Sequence, residues 1–200
     1  MSTAATPSLP KLAISCTGSD CDNDLHCFRS TKKLREAGLD GACRSCHVQL
    51  VDWPRVQERA FTDVDHTFDE LRHELIRHHF WHVEFDERAL NHALRKGRAA
   101  LVEDVSRRIA TSVGPVSPMR DGRQTSFTGN VIFYGQHATA ACCRRCIEYW
   151  HGIPMGTALT QDEQAYLASL VVRYIDDRWP DLPDGPTVVP RRKKTNTTDD

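Results

Sequence analysis

NVIFYGQHATAACCRRCIEYWHGIP, residues 130–154, sets three cysteines and two histidines in a stretch whose reading decides the fold. Its first five residues, Asn130 to Tyr134, are short, β-branched and aromatic and read as a buried strand. Thr139 then reads as an N-cap, residues 140–150 as a helix, and Gly152 with Pro154 as the stop signals. Downstream, Thr160-Gln-Asp-Glu163 spells a capping box, and Tyr166, Leu167, Leu170, Val171 and Tyr174 share one helical face. Upstream, residues 114–129 are rich in Gly, Pro, Ser and Thr and read as a loop. Before that loop, Leu101, Val105 and Ile109 mark one helix, and Asp86 to Gly97 brackets another. Phe68, Leu71, Leu75 and His79 mark a further amphipathic helix over 65–81. These signals predict an α+β, mostly helical fold: a compact helical core over residues 60–180 with one short strand or small sheet.

The chain has 200 residues, enough for one ordinary domain and a small appended module. Lys and Arg number 26 against 27 Asp and Glu, so no global field draws it to nucleic acid or membrane, and any such attraction must be local. The start, MSTAATPSLP, lacks a basic and an apolar region, and no window approaches about 20 apolar residues. The expectation is a soluble cytoplasmic protein that does not span a membrane. Its eight cysteines should then stay reduced and serve as ligands or nucleophiles. Residues 1–12 read as a flexible start, and 183–200 as a disordered basic and polar tail.

Five cysteines, Cys16, Cys21, Cys27, Cys43 and Cys46, fall within residues 13–55. A turn at Cys43-x2-Cys46 can aim two thiolates at one ion, and tetrahedral zinc needs two further ligands, for which Cys16, Cys21, Cys27 and His26 are candidates. This segment is poor in large apolar residues and could hardly fold without a staple. A zinc-ribbon-like structural module is therefore expected here, the alternatives being separate thiols or a disulfide.

The second group is weighed three ways. On a regular helix Cys142, Cys143 and Cys146 lie on adjoining rows, so two can share a metal, with His137 before the helix as a further ligand and His151 able to join if the last turn unwinds at Gly152. Alternatively Cys142 or Cys143, beside Arg144 and Arg145 and with His137 as base, is a nucleophile, although no third group is evident. In the third reading Cys146 and its neighbours pack as core. The spacing is also near that of zinc nucleobase deaminases, but Thr139 and Cys142 stand where those require Glu and Pro. An iron–sulfur cluster needs a fourth ligand from a histidine or a distant thiol.

The block DGRQTSFTGNVIFYGQHATAACCRRCIEYWHGIPMGTALTQDE, residues 121–163, resembles a bacterial and phage family designated domain of unknown function 4186. The shared pattern is a DGxQT segment, a Gly, an apolar run, QHAT, CCRxC, WHxIP and a final helix, and the likeness extends over about Phe80 to Asp177. The resemblance implies no activity. It implies that the core folds without the N-terminal cysteines, so that ligands of the second site are local: His137, Cys142 or Cys143, Cys146 and His151. One zinc shared by Cys43, Cys46, Cys143 and Cys146 is then disfavoured.

HELIRHHFWH, residues 73–82, begins like a zincin, yet His73 to His78 is i+5 and Arg77 stands where the second histidine should be. Glu74, His78 and His82 do share a helical row. Asp121, Arg123, Gln124 and Thr125 sit in a loop where function often concentrates. Arg95, Lys96, Arg98, Arg144 and Arg145 are the basic residues best placed to meet phosphates. Two classes of function remain: a zinc-binding protein associated with nucleic acid, and a metal- or cysteine-dependent enzyme centred on His137 with Cys142, Cys143 and Cys146.

Overall fold

The structure is a computed structural model and describes residues 15–120 and 122–189. The flexible start expected over residues 1–12 and the tail beyond Val189 lie outside them. The described residues are helical: α1 (Lys32–Glu36), α2 (Trp53–Gln57), α3 (Val64–Arg72), α4 (Leu75–His82), α5 (Glu87–Lys96), α6 (Arg98–Ser112), α7 (Val131–Ala138), α8 (Arg144–His151) and α9 (Gln161–Arg178). Among these residues there is no sheet, only two isolated bridges, Asp20 with Leu25 and His26 with Glu74.

The absence of a sheet corrects the expected α+β class. The run Asn130 to Tyr134 is the cap and first turn of α7, with the Asn130 side chain accepting a hydrogen bond from the Ile132 amide at 3.0 Å. Seven of the eight α7 residues are buried, Phe133 being the other. A helix buried on every side carries no polar face, so its 3.6-residue period vanishes and a short apolar run looks like a buried strand. α7 packs against α4, α5 and α9. Gly135 permits the closest approach, since a Cβ there would lie 2.9 Å from Val171 Cγ1 on α9.

The expected helix over 140–150 is also displaced. Thr139 ends α7 rather than starting α8, its hydroxyl donating to the Gly135 carbonyl at 2.8 Å, and Ala140 takes a left-handed φ of 55°. The chain turns there, Cys143 becomes the N-cap of α8, and Gly152, left-handed at φ 64°, closes it.

The amphipathic stretch 65–81 is two helices. At the break the chain of the N-terminal segment crosses: the His26 amide donates to the His73 carbonyl at 2.8 Å, and the Leu75 amide to the His26 carbonyl at 2.9 Å. Elsewhere the local signals act as written. The Asp86 carboxylate caps α5, Gly97 ends it at φ 76°, and Thr160 and Glu163 form a reciprocal capping box on α9. Residues 183–185 run beside the α5–α6 junction, where the Arg98 amide donates to the Pro183 carbonyl at 2.8 Å. The cysteine-rich segment packs onto the core through an aromatic seam: Phe28 meets Trp53 and Trp150 edge-on, and Trp53 lies 5.0 Å from Trp150. Phe28, Cys43, Val51 and Val56 join the same hydrophobic cluster as α3 to α9.

Candidate metal centres

The first centre is built by loops. Cys21 opens a short 3-10 turn, Cys21–Asn23, and His26 follows on the strand-like stretch that crosses the α3–α4 break. Cys43 and Cys46 lie on one tight turn, closed by the His47 amide donating to the Cys43 carbonyl at 2.9 Å. One ligand atom each from Cys21, His26, Cys43 and Cys46 lies within 4.8 Å of the others. Cys21 Sγ is 3.8 Å from Cys43 Sγ, and Cys46 Sγ is 3.4 Å from His26 Nδ1. A tetrahedron with metal–sulfur bonds of about 2.3 Å has sulfur–sulfur edges of about 3.8 Å, so the spacing is that of one ion.

The surroundings of Cys43 favour its thiolate. The Ser45 amide donates to Cys43 Sγ at 3.5 Å. Burial pushes the Cys43 thiol up, but the amides around it and His26 outweigh this and bring it down to about 6. Cys21, by contrast, is raised to about 11 by burial and by the neighbouring Cys46 and Cys43 sulfurs. A metal ion would draw the remaining protons off. His26 Nε2 lies 2.9 Å from the Asp24 carboxylate, which leaves Nδ1 facing the sulfurs as an acceptor. That carboxylate–histidine arrangement fixes ring orientation and tautomer in metal sites.

The second centre comes from the turn between α7 and α8. There Cys142, Cys143 and Cys146, all buried, place their sulfurs within 4.8 Å of one another. Beneath them lies a polar group with no exposure at all: Arg77 Nε donates to Glu74 Oε2 at 2.9 Å, and the pair is wholly enclosed. Arg77 Nη2 also reaches Cys146 Sγ at 3.2 Å and Tyr149 Oη at 3.1 Å, while Nη1 donates to the His137 carbonyl at 2.5 Å. Glu74 further accepts from Tyr149 Oη at 2.8 Å and Trp150 Nε1 at 2.8 Å. Burial pushes the Glu74 carboxyl up, but partners that only donate suit the carboxylate form, and Arg77 stays protonated. The Cys142 and Cys143 thiols hydrogen-bond to Cys146 and, with Arg77, hold it well below the usual thiol range against burial; Cys143 is raised to about 12.

Several expected ligands lie elsewhere. Cys27 is buried and donates to the Cys16 carbonyl at 3.6 Å, and burial raises it to about 11. Cys16 is half-buried and belongs to neither group. His137 is stacked on Phe80 at 4.6 Å and meets Phe127, tilted, at 4.7 Å. His151 Nε2 donates to the Thr139 carbonyl at 2.9 Å. Burial lowers both histidines to about 4, so both are neutral, and neither joins the three sulfurs.

The other motifs are similarly sorted. Glu74 points into the core, whereas His78 and His82 stack on each other at 4.0 Å. Thr125 braces the α7–α8 turn by donating to the Cys142 carbonyl at 2.9 Å, and Arg108 Nη2 donates to the Gln124 carbonyl at 2.7 Å. Asp121 lies outside the described residues. Of the basic residues, Arg144 is buried and donates to the Val113 and Pro154 carbonyls, Arg98 pairs with Asp176, and Lys96 with Asp104.

Sequence reasoning missed Asp24 and the Glu74–Arg77 pair. No helix of the described residues is long and apolar enough to cross a membrane. Chemically, each sulfur group could hold a metal ion, the first with four protein donors and the second with three. A family model described as a domain of unknown function (DUF4186) matches residues 65–176. That span contains Glu74, Arg77 and the second centre, and begins after every ligand of the first. No solved structure matches the chain.

Proposed function

The chain belongs to the DUF4186 family, and we propose that it is a zinc-binding protein whose first centre is a structural zinc site of Cys21, His26, Cys43 and Cys46. The observation that carries this reading is the convergence of four donor atoms within 4.8 Å from separate loops. Three sulfurs and an imidazole are a borderline-soft donor set, which suits zinc and disfavours magnesium or calcium. Four protein ligands leave no open position, so the ion staples the N-terminal segment rather than performing chemistry. The need for a staple is local: residues 15–50 contain two short helical turns, and their buried apolar side chains are few.

A second reading concerns Cys142, Cys143 and Cys146. Three thiol groups within 4.8 Å, beside a buried guanidinium that offsets thiolate charge, support a second soft ion. Three protein donors leave a fourth position, the arrangement of sites that bind an exogenous ligand. Elemental analysis of purified protein tests both readings. The first predicts one zinc per chain that Cys43→Ser abolishes and Cys146→Ser keeps; a full complement in Cys43→Ser would exclude it. The second predicts a further equivalent of zinc or iron lost only in Cys146→Ser, and a total of one ion in the unaltered chain would exclude it.

A further inference from the structure

A cleft of about 830 Å³ opens between the N-terminal segment and α8. Its volume lies within the range of small-molecule sites. Three guanidinium groups line it: Arg29 before α1, Arg35 on α1 and Arg145 on α8. Arg29 and Arg35 are near neighbours in sequence, and the fold brings Arg145 from α8 to join them. Asp40 and Glu148 share the wall, yet among the described residues none of the three arginine side chains makes an ion pair or hydrogen bond, and Glu148 Oε1 is engaged by the Met155 amide at 2.9 Å. Guanidinium is always charged and presents planar donors that match phosphate oxygens. Three unpaired in one cleft are a receptor for an anion of more than one charge.

The rest of the wall is aromatic. Trp53 and Tyr149 line the cleft and are each only partly buried. The Trp53 indole is fixed, since Nε1 donates to the Gly41 carbonyl at 3.0 Å and its ring abuts Trp150. Gly41, left-handed at φ 81°, is required by that contact: a Cβ there would collide with the indole. A rigid, partly exposed ring in the cleft wall is a stacking surface at little entropic cost. Tyr149 is anchored below by Glu74 and Arg77, which places the cleft floor one side chain from the three-sulfur centre.

We propose that this cleft binds a phosphorylated small molecule bearing a flat ring, a nucleotide being the simplest case, with Arg35 and Arg145 on the phosphates and Trp53 against the ring. The proposal does not depend on which ion either sulfur centre takes. Calorimetric titration of the full chain with ADP, adenosine and pyrophosphate separately, at low salt, tests it. The expected result is saturable ADP binding, tighter than that of adenosine or pyrophosphate. It should weaken about ten-fold in each of Arg35→Gln and Arg145→Gln, the lower end for a charge-assisted hydrogen bond. Both side chains are exposed, so the variants should keep the circular dichroism of the parent. Lys33→Gln removes the same charge from α1 outside the cleft lining and should leave affinity unchanged. Absence of ADP binding at about 1 mM, equal loss in Lys33→Gln, or pyrophosphate binding as tightly as ADP would each overturn the proposal. So would binding confined to an oligonucleotide.

Discussion

Replacing Arg77 by Met should be among the most costly single changes in this protein. The guanidinium has no exposure, and its loss removes five interactions: with Glu74, Cys142, Cys146, Tyr149 and the His137 carbonyl. Met fills much of the volume, so the cost is electrostatic rather than a cavity. Breaking a buried pair by removing one member costs about 3–5 kcal/mol, because the other charge stays enclosed without its counter-ion. Total stabilities are about 5–15 kcal/mol. For a chain of this size the loss corresponds to a fall in melting temperature of about 6–20 °C. The assay is urea unfolding at fixed free zinc, since bound metal shifts apparent stability by mass action. Glu74→Gln alone should cost a similar amount by stranding the guanidinium. Combined, the two changes should recover about 2 kcal/mol relative to the sum of the singles, the signature of coupled neighbours. The reasoning fails if Arg77→Met costs under about 1 kcal/mol, or if the two single effects add.

Three further outcomes follow from the same geometry. His137 and His151 stay neutral in the folded state down to about 4, against 6.5 for an ordinary histidine, so the unfolded chain binds more protons between these values. Stability should therefore fall as pH drops from about 6.5 to 4, by up to about 3 kcal/mol per histidine; His151→Gln should flatten this acid limb in pH-dependent urea unfolding, and an unchanged slope would contradict it. Asp24→Ala removes no ligand but frees the His26 ring, and competition with a chromogenic chelator should show zinc affinity weaker by about 10–100-fold. Gly41→Ala should cost about 2–4 kcal/mol in thermal unfolding, from left-handed strain plus the clash with Trp53; a cost within about 0.5 kcal/mol would mean that the Gly41–Trp53 contact is not formed.

The elements that sequence conveys best here are those whose signals are local. Asp86, Thr160 and Glu163 accept from amides three residues away, the Gly97 amide donates to the Ala93 carbonyl, and the helices they bound are where the pattern places them. α7 escapes because its signal depends on what surrounds it. Val131, Ile132 and Tyr134 are apolar on every side only because α4, α5 and α9 enclose them, and five such residues satisfy a strand as well as a helix. The α3–α4 break is equally non-local. Nothing between His73 and Leu75 forbids a continuous helix; the His26 backbone, 47 and 49 residues away, takes the hydrogen bonds that one would have used.

The candidate sites divide along the same line, as two look-alike tetrapeptides show. Cys43-Arg-Ser-Cys46 and Cys143-Arg-Arg-Cys146 have one spacing, which is enough to join their cysteines in pairs. It does not decide what else joins them. At the first, a solvent-facing turn recruits Cys21 and His26 and passes over Cys16 and Cys27, a choice made by loop path. At the second, the left-handed turn at Ala140 brings Cys142 in while turning His137 to Phe80 and Phe127. Burial then sets different electrostatic conditions. Cys46 is exposed, so water can screen the first centre, whereas all three cysteines of the second are buried and a thiolate among them needs a permanent cation alongside. Arg77 supplies that cation and Glu74 holds Arg77 in place. In the sequence HELIRHHFWH those two residues look like a failed zincin helix, because Arg77 occupies the second histidine's position. The position that excludes one metal chemistry on α4 is the one that makes a buried thiolate tenable on α8.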